Sequence, residues 1–469
     1  VTTARPDTNV ALRPTPTAVR PAAHFTAAES WLNDPNGLLY HDGVYHLFFQ
    51  TNPHGDTWGN ISWGHAVSTD LVTWDEKAIA IPCTPEEMAF SGSAVADVRN
   101  TAGFAGPGQT ALVAIYTSAR TGEGSRPPSQ SQSLAFSLDG GSTWTRYAGN
   151  PVLDIGSSEF RDPKVFWYGG DDGYWVMVVV EAVERRVAIY TSPDLMAWTR
   201  RSSFGPAHAV GGVWECPDLF PLRIRGTDET RWVLIVSLNP GAIAGGSGTQ
   251  YFVGDFDGNT FTAESIVASD RLEDFDWLDY GRDYYAAVSF NDAPDGRRLM
   301  IGWASNWQYA DLTPTSPWRS AMSLVREVEL DRCADGRLRL TQRPVLPGET
   351  AGIEVFEVTV PCTDGERTSL ILSSGTGNDE ELVINVDGSA RSITCDRTRS
   401  GEVSFSADFP SVDWAPLPAG TGDEVDLLIV ADSTIVEIYA AGGLVTFTEQ
   451  VFPSEPLIDL RIERGIGDR

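Results

Sequence analysis

One short pattern recurs along the first half of the chain: STDLVTW at 68–74, SLDGGSTW at 137–144, SPDLMAW at 192–198 and the looser DFDGNTF at 255–261. Each copy follows a strand-like run, and the closing aromatics stand roughly 55 to 70 residues apart. A sequence that repeats at such a period builds units that stack on their neighbours to bury their faces. Ser and Asp tie a tight turn through side-chain hydrogen bonds, and the aromatic packs between sheets. Between the copies lie YHLFFQ, ALVAIYTS, YWVMVVVE, RVAIYTS, WVLIVSL and YYAAVSF, all bounded by turn residues, with no long helical stripe. The expected class is all-β. The period suits one four-stranded blade with long loops, and radial repetition of blades gives a β-propeller. Units counted across residues 25–330 suggest five blades, and four or six also fit.

Near Asp331 the composition changes. Trp becomes rare, and alternating segments such as GEVSFSADF, DEVDLLIVAD, STIVEIYA and GLVTFTEQVF take over. These read as a β-sandwich, each sheet burying one face. The division is an extended Pro-rich arm over 1–22, a five-bladed propeller over 23–335 and a sandwich over 336–469, with the link inside 330–350. The sandwich shows no catalytic cluster and is expected to serve as support.

A length of 469 residues fits about two domains. The formal charge of −30 argues against nucleic acid or an anionic membrane surface as partner and favours a neutral or cationic ligand. Five scattered cysteines give no zinc spacing, and their odd number leaves at least one unpaired within the monomer. No apolar run is long enough to span a bilayer. The opening VTTARP lacks a signal-peptide pattern, which is compatible with a trimmed, secreted form.

Three acidic knots stand beside strand-like runs: WLNDPNGLLY at 31–40, RDPKVFW at 161–167 and WECPDLF at 214–220. Each has a plain structural reading. Asp34 would cap the turn before Pro35, Arg161 and Asp162 would form a local salt bridge, and Glu215 would be a solvated loop acid. In a propeller, however, innermost strands converge on one funnel, where the three acids would meet. Three neighbouring acids are not all cheaply ionised, so one is expected to keep its proton. That mixed state suits glycoside hydrolysis, which needs one attacking carboxylate and one carboxylic acid to protonate the departing oxygen. Trp31, Trp58, Trp63, Trp214 and Trp303 are either core or flat faces for a sugar. Metal and nucleotide readings are weaker. His41 and His46 do not share a face, and GGSGTQ at 245–250 lacks the lysine and helix of a phosphate loop and reads as a mobile loop.

The set WLNDPNG, FSGSA (90–94), FRDPKVF (160–166), WECPDLF and GWASNWQY (302–309), with later support from ADSTIVEIYA, closely resembles glycoside hydrolase family 32, the invertases, exo-inulinases and levanases. The resemblance runs from about His24 to the C-terminus and implies a five-bladed propeller followed by a sandwich. It implies that Asp34 is the nucleophile, Glu215 the general acid/base and Asp162 a transition-state stabiliser that grips fructose hydroxyls. Asn33, Gln50, Trp58, Ser91, Arg161 and Trp303 match positions lining the terminal fructose pocket, with Phe90 and Trp63 as walls. Cys216 would tune the neighbouring acid.

The chemistry so implied is retaining: a fructosyl-enzyme forms on Asp34 and is released by a hydroxyl that Glu215 activates, with no metal or organic cofactor. The expected partner is a fructan or sucrose-type carbohydrate, with β-2,6 levan ahead of β-2,1 inulin, and the expected location is extracellular. Two alternatives stand. If a hydroxyl of the same chain is the acceptor, the enzyme is a levan fructotransferase that releases difructose dianhydride, with specificity set by loops 121–133 and 239–248. If the acids are inert, the chain is a carbohydrate-binding propeller.

Overall fold

The computed structural model describes residues 18–122, 127–348, 352–377 and 379–466. Residues 1–17 of the expected arm, 123–126 of the first acceptor loop and 349–350 of the link lie outside them. Among the described residues the chain is all-β, with thirty strands in seven sheets and four single-turn 3-10 helices.

Five sheets come from residues 30–344, each meandering through antiparallel neighbours. Their opening strands are Ser30–His41, Glu87–Asp97, Phe160–Tyr168, Val213–Arg223 and Tyr285–Ser289. Each opening strand packs on the next, and Tyr285–Ser289 packs on Ser30–His41. The fifth sheet is tied to the first by backbone bonds from Tyr40 to Asn291 and from Asn291 to Leu38, both 2.9 Å, while the short strand Trp318–Arg319 pairs in parallel with Ser30 and Trp31. Opening strands are therefore enclosed on both faces. Ser30–His41 is buried almost throughout, which is why it does not alternate in sequence.

The repeated motif is the hairpin between the third and fourth strands of each of the first four sheets. In the first copy Ser68 accepts from the Leu71 amide at 2.8 Å, and Asp70 accepts from the Val72 and Thr73 amides at 2.9 and 2.7 Å. Asp139, Asp194 and Asp257 do the same in the other copies. Leu71 and Leu195 hold left-handed backbone, at φ 69° and 66°. That conformation costs a non-glycine residue about 1–3 kcal/mol. Both leucines are buried, and full burial of Leu is worth about 1.5–3 kcal/mol, so packing offsets the strain. Trp144 and Trp198 close their turns by donating indole N–H to Gly141 and Leu195 carbonyls. The fifth sheet closes instead through Asp335 and Gly336, without an aromatic.

Beyond residue 352, a four-stranded and a five-stranded sheet share one apolar core, including Leu370, Leu382, Ile384, Ile429, Ile438 and Phe447. This part docks on the first through buried charges. Arg326 donates to Glu437 at 2.9 Å and to Asp279 at 2.9 Å, and His24 bridges Asp432 at 2.8 Å and Glu437 at 3.1 Å. Arg397 pairs with Asp283 and, at 3.2 Å, with Glu449. Removing one partner from such a cluster leaves an uncompensated charge and costs about 3–5 kcal/mol, so the two parts are held in one orientation.

The GGSGTQ segment is not the free loop expected. The Asn306 side chain takes the Ser247 amide and donates to the Gly245 and Ser247 carbonyls, and residues from Gly248 onward form a buried strand.

Candidate active site

All five opening strands break register near one level. The skips fall between Leu32 and Pro35, Phe90 and Gly92, Arg161 and Lys164, Glu215 and Asp218, and Tyr285 and Val288. A bulge re-aims a side chain, and four of the five hold a residue that unsettles a ladder. Pro35, Pro163 and Pro217 cannot donate to a ladder, and Asp162, Cys216 and Ala286 take left-handed backbone at φ 65°, 46° and 52°. The acidic knots are thus these bulges, and the turn-cap reading of Asp34 gives way to a carboxylate inside a strand.

The bulges bring Asp34, Asp162 and Glu215 together. Asp34 is 9% exposed and Asp162 6%. Ser91 donates to Asp34 Oδ2 at 2.5 Å, and Asn33 donates to Asp34 Oδ1 at 3.0 Å while its own carbonyl accepts from the Trp31 indole at 2.7 Å. The Cys216 amide donates to Asp162 Oδ2 at 2.9 Å. Its thiol lies 3.5 Å from Asp34 Oδ2 and 3.7 Å from Asp162 Oδ2, so it faces the two aspartates and not the adjacent glutamate. Arg161 Nε donates to Glu215 Oε1 at 3.1 Å, and its Nη1 reaches Glu159 at 2.7 Å and Gln130 at 3.2 Å. The expected Arg161–Asp162 bridge is replaced by this fork across strands.

Electrostatics follow from burial. Burial raises the Asp34 pKa, opposed by the Ser91 hydrogen bond, while the Glu215 charge raises it further. Burial lifts Asp162 to about 7, against Arg161 and with help from Glu215 and Asp34. Near neutrality the site therefore holds a proton, as three neighbouring acids require. Burial opposes charge on Arg161, but Glu215 and Asp162 overcome it and keep the guanidinium ionised. Burial and the surrounding carboxylates push the Cys216 thiol far up, so it is a neutral donor.

Gln50 is buried and donates to the Ala89 carbonyl at 3.1 Å, next to the Phe90–Gly92 bulge. Trp58 is 43% exposed, with its ring edge-on to Phe90 at 6.1 Å. Trp63 is buried and donates to the Phe90 carbonyl at 3.0 Å. Trp303 is 0% exposed; its ring packs among Trp31, Trp307 and Tyr285, and its N–H goes to the Leu32 carbonyl at 3.1 Å. That bond ties Trp303 to the strand that carries Asn33 and Asp34, whereas Trp58 is open to solvent.

Three contributors were not visible in the sequence. Tyr285 donates its hydroxyl to Glu215 Oε2, Thr117 accepts the Asp162 amide at 2.9 Å, and Gln130 supports Arg161. Tyr285 lies in DYYAAVSF, a run whose only sequence signal is that of a strand.

Residues 24–344 match the glycosyl hydrolases family 32 N-terminal domain, and residues 333–465 match the family's C-terminal domain. The chain belongs to glycoside hydrolase family 32. It is 42% identical over 487 residues to the extracellular exo-inulinase of Aspergillus awamori, covering 94% of this chain and 90% of that protein. It is 42% identical over 479 residues to the levanase of Bacillus subtilis, covering 96% and 68%. The crystal structure of the A. awamori exo-inulinase superposes with a TM-score of 0.84 at 40% identity over 95% of both chains. The β-fructofuranosidase of Schwanniomyces occidentalis complexed with fructosyl-erythritol gives 0.84 at 33% identity, over 98% and 96%.

Proposed function

We propose that the chain is a retaining β-fructofuranosidase that removes terminal fructose from fructans, levan ahead of inulin, and from sucrose. The observation that carries this is the meeting of Asp34, Asp162 and Glu215 from three of the five bulges, each carboxylate held by a donor from another strand. Glu215 gives its proton to the glycosidic oxygen as Asp34 attacks C2, so the carbon–oxygen bond breaks and the leaving group departs as an alcohol. Water then gives its proton to Glu215 and its hydroxyl to C2, which frees Asp34 with the configuration retained. In the reactive form the site's proton sits on Glu215, and ionised Asp162 accepts hydrogen bonds from the sugar hydroxyls and stabilises developing positive charge. Ser91, Asn33 and Cys216 favour the ionised nucleophile that attack requires. Asn33, Gln50, Ser91 and Arg161 shape the fructose pocket, Trp58 and Phe90 form its outer wall, and Trp303 backs it.

The five sheets are read as a closed five-bladed β-propeller, supported by the ring of opening-strand contacts, with the two later sheets as a sandwich. The first domain extends through Pro344, past the expected 335, because Leu338–Pro344 pairs within the fifth sheet. The named relatives include extracellular enzymes, and we infer the same location for this chain.

Product analysis on levan, inulin and sucrose tests the reading. Fructose released from the outset supports it and ranks the linkages. Difructose dianhydride as the main product would establish intramolecular transfer, and no product from any of the three would leave a binding propeller.

A further inference from the structure

Just beyond the carboxylates, the strands that carry Asp162, Glu215 and Tyr285 are joined a second time. Lys164 follows Asp162 across Pro163, and Asp218 follows Glu215 across Cys216 and Pro217. Lys164 is 4% exposed and Asp218 0%. The Lys164 ammonium lies 3.4 Å from Asp218 Oδ2 and donates to the Ser289 carbonyl. The Ser289 amide donates to the same Asp218 oxygen at 2.7 Å. Ser289 ends the strand that begins with Tyr285, the residue on Glu215. Each strand thus carries one site residue before its bulge or within it, and one member of this cluster just after the bulge.

Buried lysine is costly and is rarely kept for stability alone. Bulges interrupt the ladders that would otherwise fix strand register. Lys164, Asp218, Asn291 and Arg298 line a cavity of about 290 Å³ that none of the three carboxylates lines, and there Asn291 donates to the Ala94 and Val165 carbonyls at 2.8 and 3.0 Å.

We propose that Lys164 is a positioning residue: through Asp218 and Ser289 it sets the mutual register of the strands bearing Asp162, Glu215 and Tyr285. This rests on the roles given above to Asp162 and Glu215. Misplacing reacting groups by about 1 Å costs up to roughly a hundredfold in rate. Lys164→Met should therefore lower kcat on sucrose about ten- to hundredfold while KM changes by less than about threefold.

Lost stability and lost position are separated by a second variant. Lys164→Met alone leaves Asp218 buried and unpaired, whereas Lys164→Met with Asp218→Asn removes both charges. The double variant should regain thermal stability relative to Lys164→Met but keep the low kcat, because Met cannot donate to the Ser289 carbonyl. If Lys164→Met fails to fold, the double variant carries the test alone. Wild-type kcat in either variant, or kcat that recovers together with stability, would overturn the proposal. An inactive wild type would instead remove the functional reading on which it rests.

Discussion

Replacing Ser91 with alanine deletes one hydroxyl and tests how the nucleophile is kept ionised. Ser91 sits at a bulge, is 5% exposed and donates at 2.5 Å to Asp34 Oδ2. Burial raises the Asp34 pKa, and that hydrogen bond is the leading force opposing the rise. A hydrogen bond to a charged group is worth about 1.5–3 kcal/mol, and one pKa unit corresponds to about 1.36 kcal/mol. Without the donor the carboxylate is less favoured, so the Asp34 pKa rises further, by about one to two units. Attack needs ionised Asp34, so the acid limb of kcat/KM against pH should move upward by that amount. Above the limb the variant should approach wild-type rates, since Asn33 and Cys216 still hold the carboxylate. The assay is initial-rate hydrolysis of sucrose across the acid range, with Ser91→Thr as a control that keeps the hydroxyl and the limb. An unmoved limb, or one moved downward, would refute the assignment of that ionisation to Asp34.

The contact between the two parts of the chain makes a separate prediction. Burial alone would depress the pKa of His24, but Asp432 and Glu437 raise it to about 9. A raised pKa adds stability that is full below the unfolded value of about 6.5 and is lost as pH climbs through about 9. In urea unfolding, the stability gap between wild type and His24→Gln should shrink by about 3 kcal/mol from pH 6 to pH 10; a constant gap would show that His24 is not charged there. At the mouth of the site, Trp58→Ala should raise KM for fructans about fivefold, as expected for losing an aromatic contact of about 1 kcal/mol, and leave kcat nearly unchanged. An equal fall in kcat would place Trp58 in the transition state.

Why some of this was legible in the sequence and some was not has a physical basis. The repeat was visible because four hairpins need the same Ser, Asp and aromatic to close, and the fifth escaped because Asp335 and Gly336 close it by other means. Asp34, Asp162 and Glu215 stood out because proline and left-handed backbone at their bulges leave a local signature. Tyr285, Thr117 and Gln130 reach the site from regular strand positions, where an inward polar side chain resembles any other. The motif GWASNWQY marks Trp303 in the sequence, but its bond to the Leu32 carbonyl and its packing with Trp31, Trp307 and Tyr285 join distant strands and leave no local signal. The Cys216 thiol points at the aspartates because its residue is left-handed, a reversal that sequence adjacency to Glu215 does not reveal.

The central claim is that Asp34 becomes fructosylated. Enzyme turning over sucrose is quenched in acid and digested, and the peptide spanning 31–40 is examined by mass spectrometry, with Asp34→Asn alongside. The account predicts one fructosyl unit on Asp34, absent in the variant, which should also lack turnover. An adduct on another residue, or undiminished turnover by Asp34→Asn, would contradict it.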